Sequence, residues 1–261
     1  MKIALAQTEI VWEDKETNER DAERYTAQAA AAGAQAVFFP EMSLTGFSMN
    51  TEKTAESDGE TIERFARIAA GNGIAVGIGW TGQKEGAASN HYSVLDSRGK
   101  TVSDYIKIHP FSYGGEDRFF IPGKEIVYFR LGGYTWSSFI CYDLRFPELF
   151  QAACAKAEVV VVAADWPGKR EEHWKSLLRA RAIENQCYIL GVNCTGHGGG
   201  NVYRGGSCCI SPEGEILGRL DERPGLLTAE LTQDVKELRE RFPVKKDRRW
   251  DLYISEYRRH I

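Results

Sequence analysis

The chain has 261 residues, 43% of them hydrophobic and 27% charged, ordinary globular usage that excludes a disordered chain and is enough for one large α/β domain. Its formal net charge of −4 excludes the global positive field with which nucleic-acid binders collect phosphates. The first apolar run, in MKIALAQTEIVWEDK, is about seven residues long and is followed at once by acids, unlike a secretory h-region, and no stretch approaches the roughly 20 apolar residues of a membrane span, so a cytoplasmic protein with neither membrane nor nucleic-acid partner is expected.

In chain order, KIALAQ reads as a short buried strand, about Lys15 to Ala32 as a helix, and AVFFP as a second buried strand closed by Pro40. A second unit repeats that order, with a helix from about Glu60 to Ala70 and GIAVGIGW as a strand. HYSVLDSRGKTVSDYIK follows as two strands joined by an Asp-Ser-Arg-Gly turn. The second half opens with IVYFR and YTWSSFI as strands, then a helix from about Pro147 to Lys156 and the strand EVVVVAAD. A long helix runs from about Glu171 to Asn185 and leads into the strand CYILGVN. GSCCISPEGEILGRL forms a hairpin around Pro212 and Gly214, LLTAEL a strand, and about Gln233 to Arg241 a last helix. Beyond it, about 242–261 reads as a tail whose KKDRR run is a solvated or dimer-contact stretch. Apolar strands with helices between them and no Ser/Gly-rich linker predict a layered α/β fold of two packed sheets, one domain over residues 1–261.

Cys141, Cys154, Cys187, Cys194, Cys208 and Cys209 include no Cys-x-x-Cys pair, so reduced thiols are expected, most of them acting as small buried hydrophobes. His91, His109, His173, His197 and His260 show no zinc-ligand spacing, and no metal is expected.

Polar residues at the ends of buried strands mark the places where open α/β sheets bind ligands. In VFFPEMSLTGF, Glu41 follows a bulky apolar strand and its terminating proline. A poorly hydrated carboxylate there is poised for proton transfer, and a loop glutamate bonded to backbone amides is the other reading. In DYIKIHPF, Lys107 ends an alternating strand, and its ammonium could stabilise an oxyanion or sit on the surface. WSSFICYDLRFPELF is the most informative segment: a strand ends at Cys141, the chain turns, and Pro147 occupies a first helical position. That is the layout of a nucleophile elbow, where a cysteine can be an activated thiolate, although a packed core thiol fits the segment too.

Taken together and in this order, FFPEMSLTGF, DYIKIHPF and FICYDLRFPE resemble the Glu, Lys and Cys motifs of the nitrilase superfamily. AADWPGKREEHWKSLLRARAIENQCYILGVN, YRGGSCCISPEGEIL and FPVKKDRRWDLY extend the likeness to its omega-amidase branch over nearly the whole chain. The resemblance implies a four-layer αββα sandwich, a homodimer, and cysteine-dependent hydrolysis of a small amide with no cofactor. It also implies a second glutamate after the lysine, for which GGEDRFF offers Glu116, with Asp117 as the neighbouring alternative.

On that reading Cys141 attacks the amide carbonyl, Glu41 accepts the thiol proton, and Lys107 with the Tyr142 N–H holds the oxyanion. Ammonia leaves, and water activated by Glu41 and Glu116 hydrolyses the thioester. Arg145 pairs either with a substrate carboxylate or with an acid such as Glu148, Trp166 either walls the pocket or packs in the core, and Arg179 and Arg181 read as structural or interfacial. The expected substrate is an omega-amide of a short dicarboxylate, such as a 2-oxo acid amide. The alternatives are an N-carbamoyl amino acid, a deaminated glutathione, or a non-catalytic scaffold.

Overall fold

The apolar runs collect into two six-stranded sheets in the computed structural model, which describes residues 1–84 and 86–260. The first half supplies β1 (Lys2–Gln7), α1 (Lys15–Ala31), β2 (Ala36–Phe38), the short α2 (Thr51–Thr54), α3 (Glu60–Asn72), β3 (Ala75–Lys84), β4 (Ala87–Leu95) and β5 (Thr101–Ile106). The second supplies β6 (Phe129–Leu131), β7 (Tyr134–Ile140), α4 (Pro147–Ala153), β8 (Val159–Ala164), α5 (Glu171–Asn185), β9 (Tyr188–Asn193), β10 (Thr195–Gly198), β11 (Asn201–Arg204), β12 (Cys208–Ile210) and β13 (Ile216–Arg219). β14 (Gly225–Glu230), α6 (Val235–Arg241) and α7 (Trp250–His260) complete the order.

The two halves use one plan. β1, β2 and β3 run parallel through the α1 and α3 crossovers, as β7, β8 and β9 do through α4 and α5, and antiparallel strands flank both trios. The strand orders are β14-β1-β2-β3-β4-β5 and β13-β12-β9-β8-β7-β6. β14 returns from the second half to pair with β1, so the first sheet is completed by the second half of the chain.

Alternation along the strands decides what each face meets. Phe38 and Tyr92 of the first sheet share the inner core with Trp136 of the second, with Phe38 stacked on Trp136 at 5.4 Å, while Tyr105 reaches Phe139 edge-on at 5.5 Å. The opposite face of the first sheet, with Val37, Phe39, Val76 and Ile78, is covered by Tyr25, Ala29, Phe65 and Ile68 of α1 and α3. Phe150, Trp174 and Leu178 of α4 and α5 close the second sheet in the same way. The result is the expected αββα sandwich.

Three segments differ from the sequence reading. IVYFR pairs only from Phe129, which lies opposite Trp136 of β7, and Ile126 to Tyr128 precede the strand. TGHGGGNVYR, whose glycines hide any strand pattern, forms the β10–β11 hairpin. The tail carries a helix, α7, with Asp251 in its first turn and Arg258, Arg259 and His260 in its last, the charge order the helix dipole favours.

Candidate active site

Four strand ends converge at one rim of the sandwich. After β2 the chain turns sharply through Met42, which holds φ of 39°, and the Ser43 hydroxyl donates to Pro40 O at 2.5 Å. This turn lies flat against β3 because residue 79 is glycine: a Cβ there would meet Pro40 O at 2.5 Å and Met42 N at 2.6 Å. Glu41 is thereby pushed into the interior. β5 delivers Lys107, β7 delivers Cys141, and β8 delivers Asp165 and Trp166.

Cys141 has φ of 44°, a left-handed conformation that costs a non-glycine residue energy and aims its side chain above the sheet, as the elbow layout requires. The elbow is held from several sides. Asp143, fully buried, accepts from Ile140 N (3.0 Å), Tyr105 Oη (2.8 Å), His109 N (3.1 Å) and His109 Nδ1 (2.8 Å). These bonds latch the nucleophile turn to the strand that carries Lys107. Arg181 donates from Nε and Nη2 to Leu144 O at 3.2 and 2.8 Å, and Arg179 Nε donates to Gly214 O at 3.1 Å, which makes both structural residues.

Glu41, Lys107 and Glu116 form a cluster out of reach of solvent. Lys107 Nζ donates to Glu41 Oε1 at 2.7 Å and to Glu116 Oε2 at 2.8 Å, while Asn90 Nδ2 donates to Glu41 Oε1 at 2.8 Å and to Glu116 Oε1 at 3.1 Å. Asp165 N donates to the other oxygen of Glu41 at 3.1 Å, and Phe111 N to Glu116 Oε2 at 2.5 Å. Glu116 therefore joins the cluster, and Asp117 lies exposed outside it.

Burial alone would strip the Lys107 proton, but the Glu116 and Glu41 carboxylates outweigh it and hold the lysine above its ordinary pKa, fully an ammonium. Cys141 rests as the thiol whose proton Glu41 is expected to accept, and not as a pre-formed thiolate. Burial first, and then the charge of Glu41 within hydrogen-bonding reach, push its thiol well above the ordinary range against the pull of Lys107. At rest it is an S–H, so its proton must leave as the sulfur attacks.

A cavity of about 450 Å³ opens over Cys141, a size suited to small ligands. Trp166 lines it while packing in the core, fixed by bonds from Trp166 N to Asn193 Oδ1 (2.7 Å) and from Trp166 Nε1 to Arg170 O (2.8 Å). Arg145 also lines it. The guanidinium stacks over Trp166 at 4.8 Å and meets His173 Nδ1 at 3.3 Å, while Glu148 is taken by Tyr257 Oη at 3.0 Å, so the Arg145–Glu148 ion pair does not form. Trp12 and Gly199, at the tip of the β10–β11 hairpin, complete the far wall, and the neighbouring Gly198 lies so close that a Cβ there would strike the indole.

Sequence reasoning missed Asn90, Asp143, Asp165 and Arg170. Asn90 left a trace, since it shares strand parity with the core residues Tyr92 and Val94 and is thus a polar side chain on an inward face. Arg170, on the cavity wall and 5.4 Å from the Phe111 ring, sits in a loop with no period to read.

Among known proteins, the carbon-nitrogen hydrolase family model matches residues 2–240. The 2-oxoglutaramate amidase of Bacillus subtilis (strain 168) is 34% identical over 256 residues, spanning 96% of this chain and 98% of that protein. Omega-amidase YafV of Escherichia coli (strain K12) is 32% identical over 250 residues, 95% of this chain and 96% of its own. A solved amidase from Nesterenkonia sp. AN1, showing the result of Michael addition of acrylamide at its active site cysteine, superposes with a TM-score of 0.86 at 29% identity, covering 98% of this chain and 99% of that one. With a family model and relatives aligned from end to end on the same sandwich, this chain belongs to the carbon-nitrogen hydrolase family, in the omega-amidase-like branch of the nitrilase superfamily.

Proposed function

We propose that the protein hydrolyses the omega-amide of a short dicarboxylate through a thioester on Cys141. The observation that carries the substrate class is a pair of guanidiniums, Arg145 and Arg170, on the wall of the cavity above Cys141. Among the described residues Arg145 is paired with no acid, and burial together with the neighbouring Arg170 charge presses its pKa down. Two facing cations in a partly dry pocket call for an anion, and a carboxylate at the far end of the substrate supplies it. The relatives that act on 2-oxoglutaramate and on omega-amides point to the same chemistry.

The reaction follows from the cluster. As the Cys141 sulfur bonds to the amide carbon, its proton passes to Glu41. The three Lys107 protons divide between Glu41, Glu116 and one direction left free, which with the Tyr142 N–H at the start of the elbow holds the oxyanion. Glu41 returns the proton to nitrogen, the C–N bond breaks, and ammonia leaves a thioester. Water, deprotonated by Glu41 with Glu116 beside it, then attacks the acyl carbon and releases the acid and the thiol. No step calls for a metal or an organic cofactor.

A cytoplasmic enzyme fits the six free cysteines, two of which, Cys154 and Cys187, are joined by a hydrogen bond from Cys154 Sγ to Cys187 Sγ at 3.5 Å and not by a disulfide. A homodimer fits α7, which buries no residue of its own and exposes Trp250, Leu252, Tyr253, Ile254 and Tyr257. Ammonia release from a panel of amides tests the reading. Four- and five-carbon omega-amides should outperform neutral aliphatic amides and N-carbamoyl amino acids, and Arg145→Lys and Arg170→Leu should lower kcat/KM for the acidic amides alone. Equal losses for acidic and neutral amides would remove both arginines from substrate recognition.

A further inference from the structure

Two carboxylates that exclude solvent share a single ammonium, so the cluster carries one negative charge more than Lys107 neutralises. Such a charge is stable inside a protein only when further donors reach it. Asn90, itself 1% exposed, is that donor. Its Nδ2 bonds Glu41 Oε1 and Glu116 Oε1, the oxygen atoms that Lys107 Nζ also approaches, at 2.7 and 3.1 Å. Its backbone carbonyl accepts from Lys107 N at 2.9 Å. One side chain and its own main chain thus hold three of the four groups proposed to run the reaction.

The amide orientation is settled by charge, because the flipped form would set Oδ1 against two carboxylate oxygens. In the orientation present, Oδ1 is buried and has no partner among the described residues. An orphaned acceptor is costly, and the cost is borne where the two N–H groups are needed. We infer that Asn90 is a positioning residue that holds Glu41 and Glu116 aligned with Lys107, so that Glu41 can accept the Cys141 proton. The inference rests on the proposed reaction. Asn90 touches neither the sulfur nor the pocket; it acts through the two glutamates.

The test compares wild type, Asn90→Leu, which keeps the volume and loses both donors, and Asn90→Asp, which keeps the shape. Both are assayed for kcat and KM from about pH 5 to 9, with the melting temperature checking the fold. Asn90→Leu should lose about 100-fold in kcat with little change in KM, and the acid limb of its kcat/KM profile should move up by about one pH unit, because a donor to the ionised carboxylates is gone. Asn90→Asp can donate to the glutamates only while it carries a proton, so relative to wild type its activity should rise toward acid pH. A folded Asn90→Leu enzyme with an unmoved acid limb, or an Asn90→Asp profile parallel to wild type, would overturn the inference whatever the loss in kcat. If the wild type forms no acyl adduct on Cys141 with any amide, the proposed reaction fails instead, and intact mass measurement separates the two cases.

Discussion

Lys107→Met takes the ammonium away from two fully buried carboxylates, at 2.7 and 2.8 Å, and leaves them with neutral donors alone. Breaking a buried pair by removing one partner costs about 3–5 kcal/mol, because the remaining charge has no water to turn to. Against a total stability of about 5–15 kcal/mol that is a large fraction, so the variant should show a lowered urea midpoint at neutral pH with its slope unchanged. The pH dependence gives the mechanism away. In the variant the two buried carboxylates repel with no cation between them, so the folded state takes up a proton more readily than the unfolded chain, and stability that is present in acid is lost as pH rises. The deficit relative to wild type should therefore shrink between about pH 8 and pH 5, and adding Glu116→Gln should recover a good part of it at pH 8. Turnover should fall by about 100- to 1,000-fold from loss of an oxyanion donor, and Glu116→Gln should not restore it. A Lys107→Met protein as stable as wild type at every pH would refute the picture of an ion cluster held together by one charge.

Three further outcomes follow from neighbouring residues. Asp143→Ala strands donors of Ile140, Tyr105 and His109, so it should destabilise by about 2–3 kcal/mol in urea unfolding and slow acylation more than binding; unchanged turnover would mean the latch does not position Cys141. Asp165 has both carboxyl oxygens buried without partners among the described residues, and burial, then the Glu41 charge, hold it well above the carboxylate range, as a neutral acid. Since its folded pKa is raised, its contribution is fully present below the unfolded value and lost as pH climbs toward the folded one, and Asp165→Asn should flatten the fall in melting temperature on the alkaline side. Iodoacetamide should label Cys141 before the other five cysteines, which are all buried, and peptide mapping that finds Cys154 or Cys187 labelled first would contradict the packing.

Much of this was legible because strand ends are written locally. The apolar runs before Glu41 and Cys141 and the alternation before Lys107 put all three at strand termini without any knowledge of the pairing. Their convergence was not written in any one segment, since it depends on β2, β5, β7 and β8 sharing one rim of two sheets. Glu116 was found only through family likeness; its short glycine-rich loop has no period, and what selects it over Asp117 is the bond it makes to Lys107. The protonation state of Cys141 was not legible, because the elbow layout speaks to geometry and not to charge, and Cys141 faces a carboxylate as well as an ammonium. The cavity's far wall was out of reach for a similar reason: Trp12 and Gly199 are nearly two hundred residues apart and meet through a hairpin that composition disguised.

The most direct test of the account is the mass of the protein during turnover. Wild type and Cys141→Ala are mixed with a five-carbon omega-amide, quenched in acid at short times, and read as intact protein and as peptides. The account predicts a transient adduct of the acyl mass on the Cys141 peptide of wild type, ammonia appearing in a burst with it, and neither adduct nor ammonia from Cys141→Ala. Steady amide hydrolysis by folded Cys141→Ala, or an adduct carried on any other residue, would contradict it.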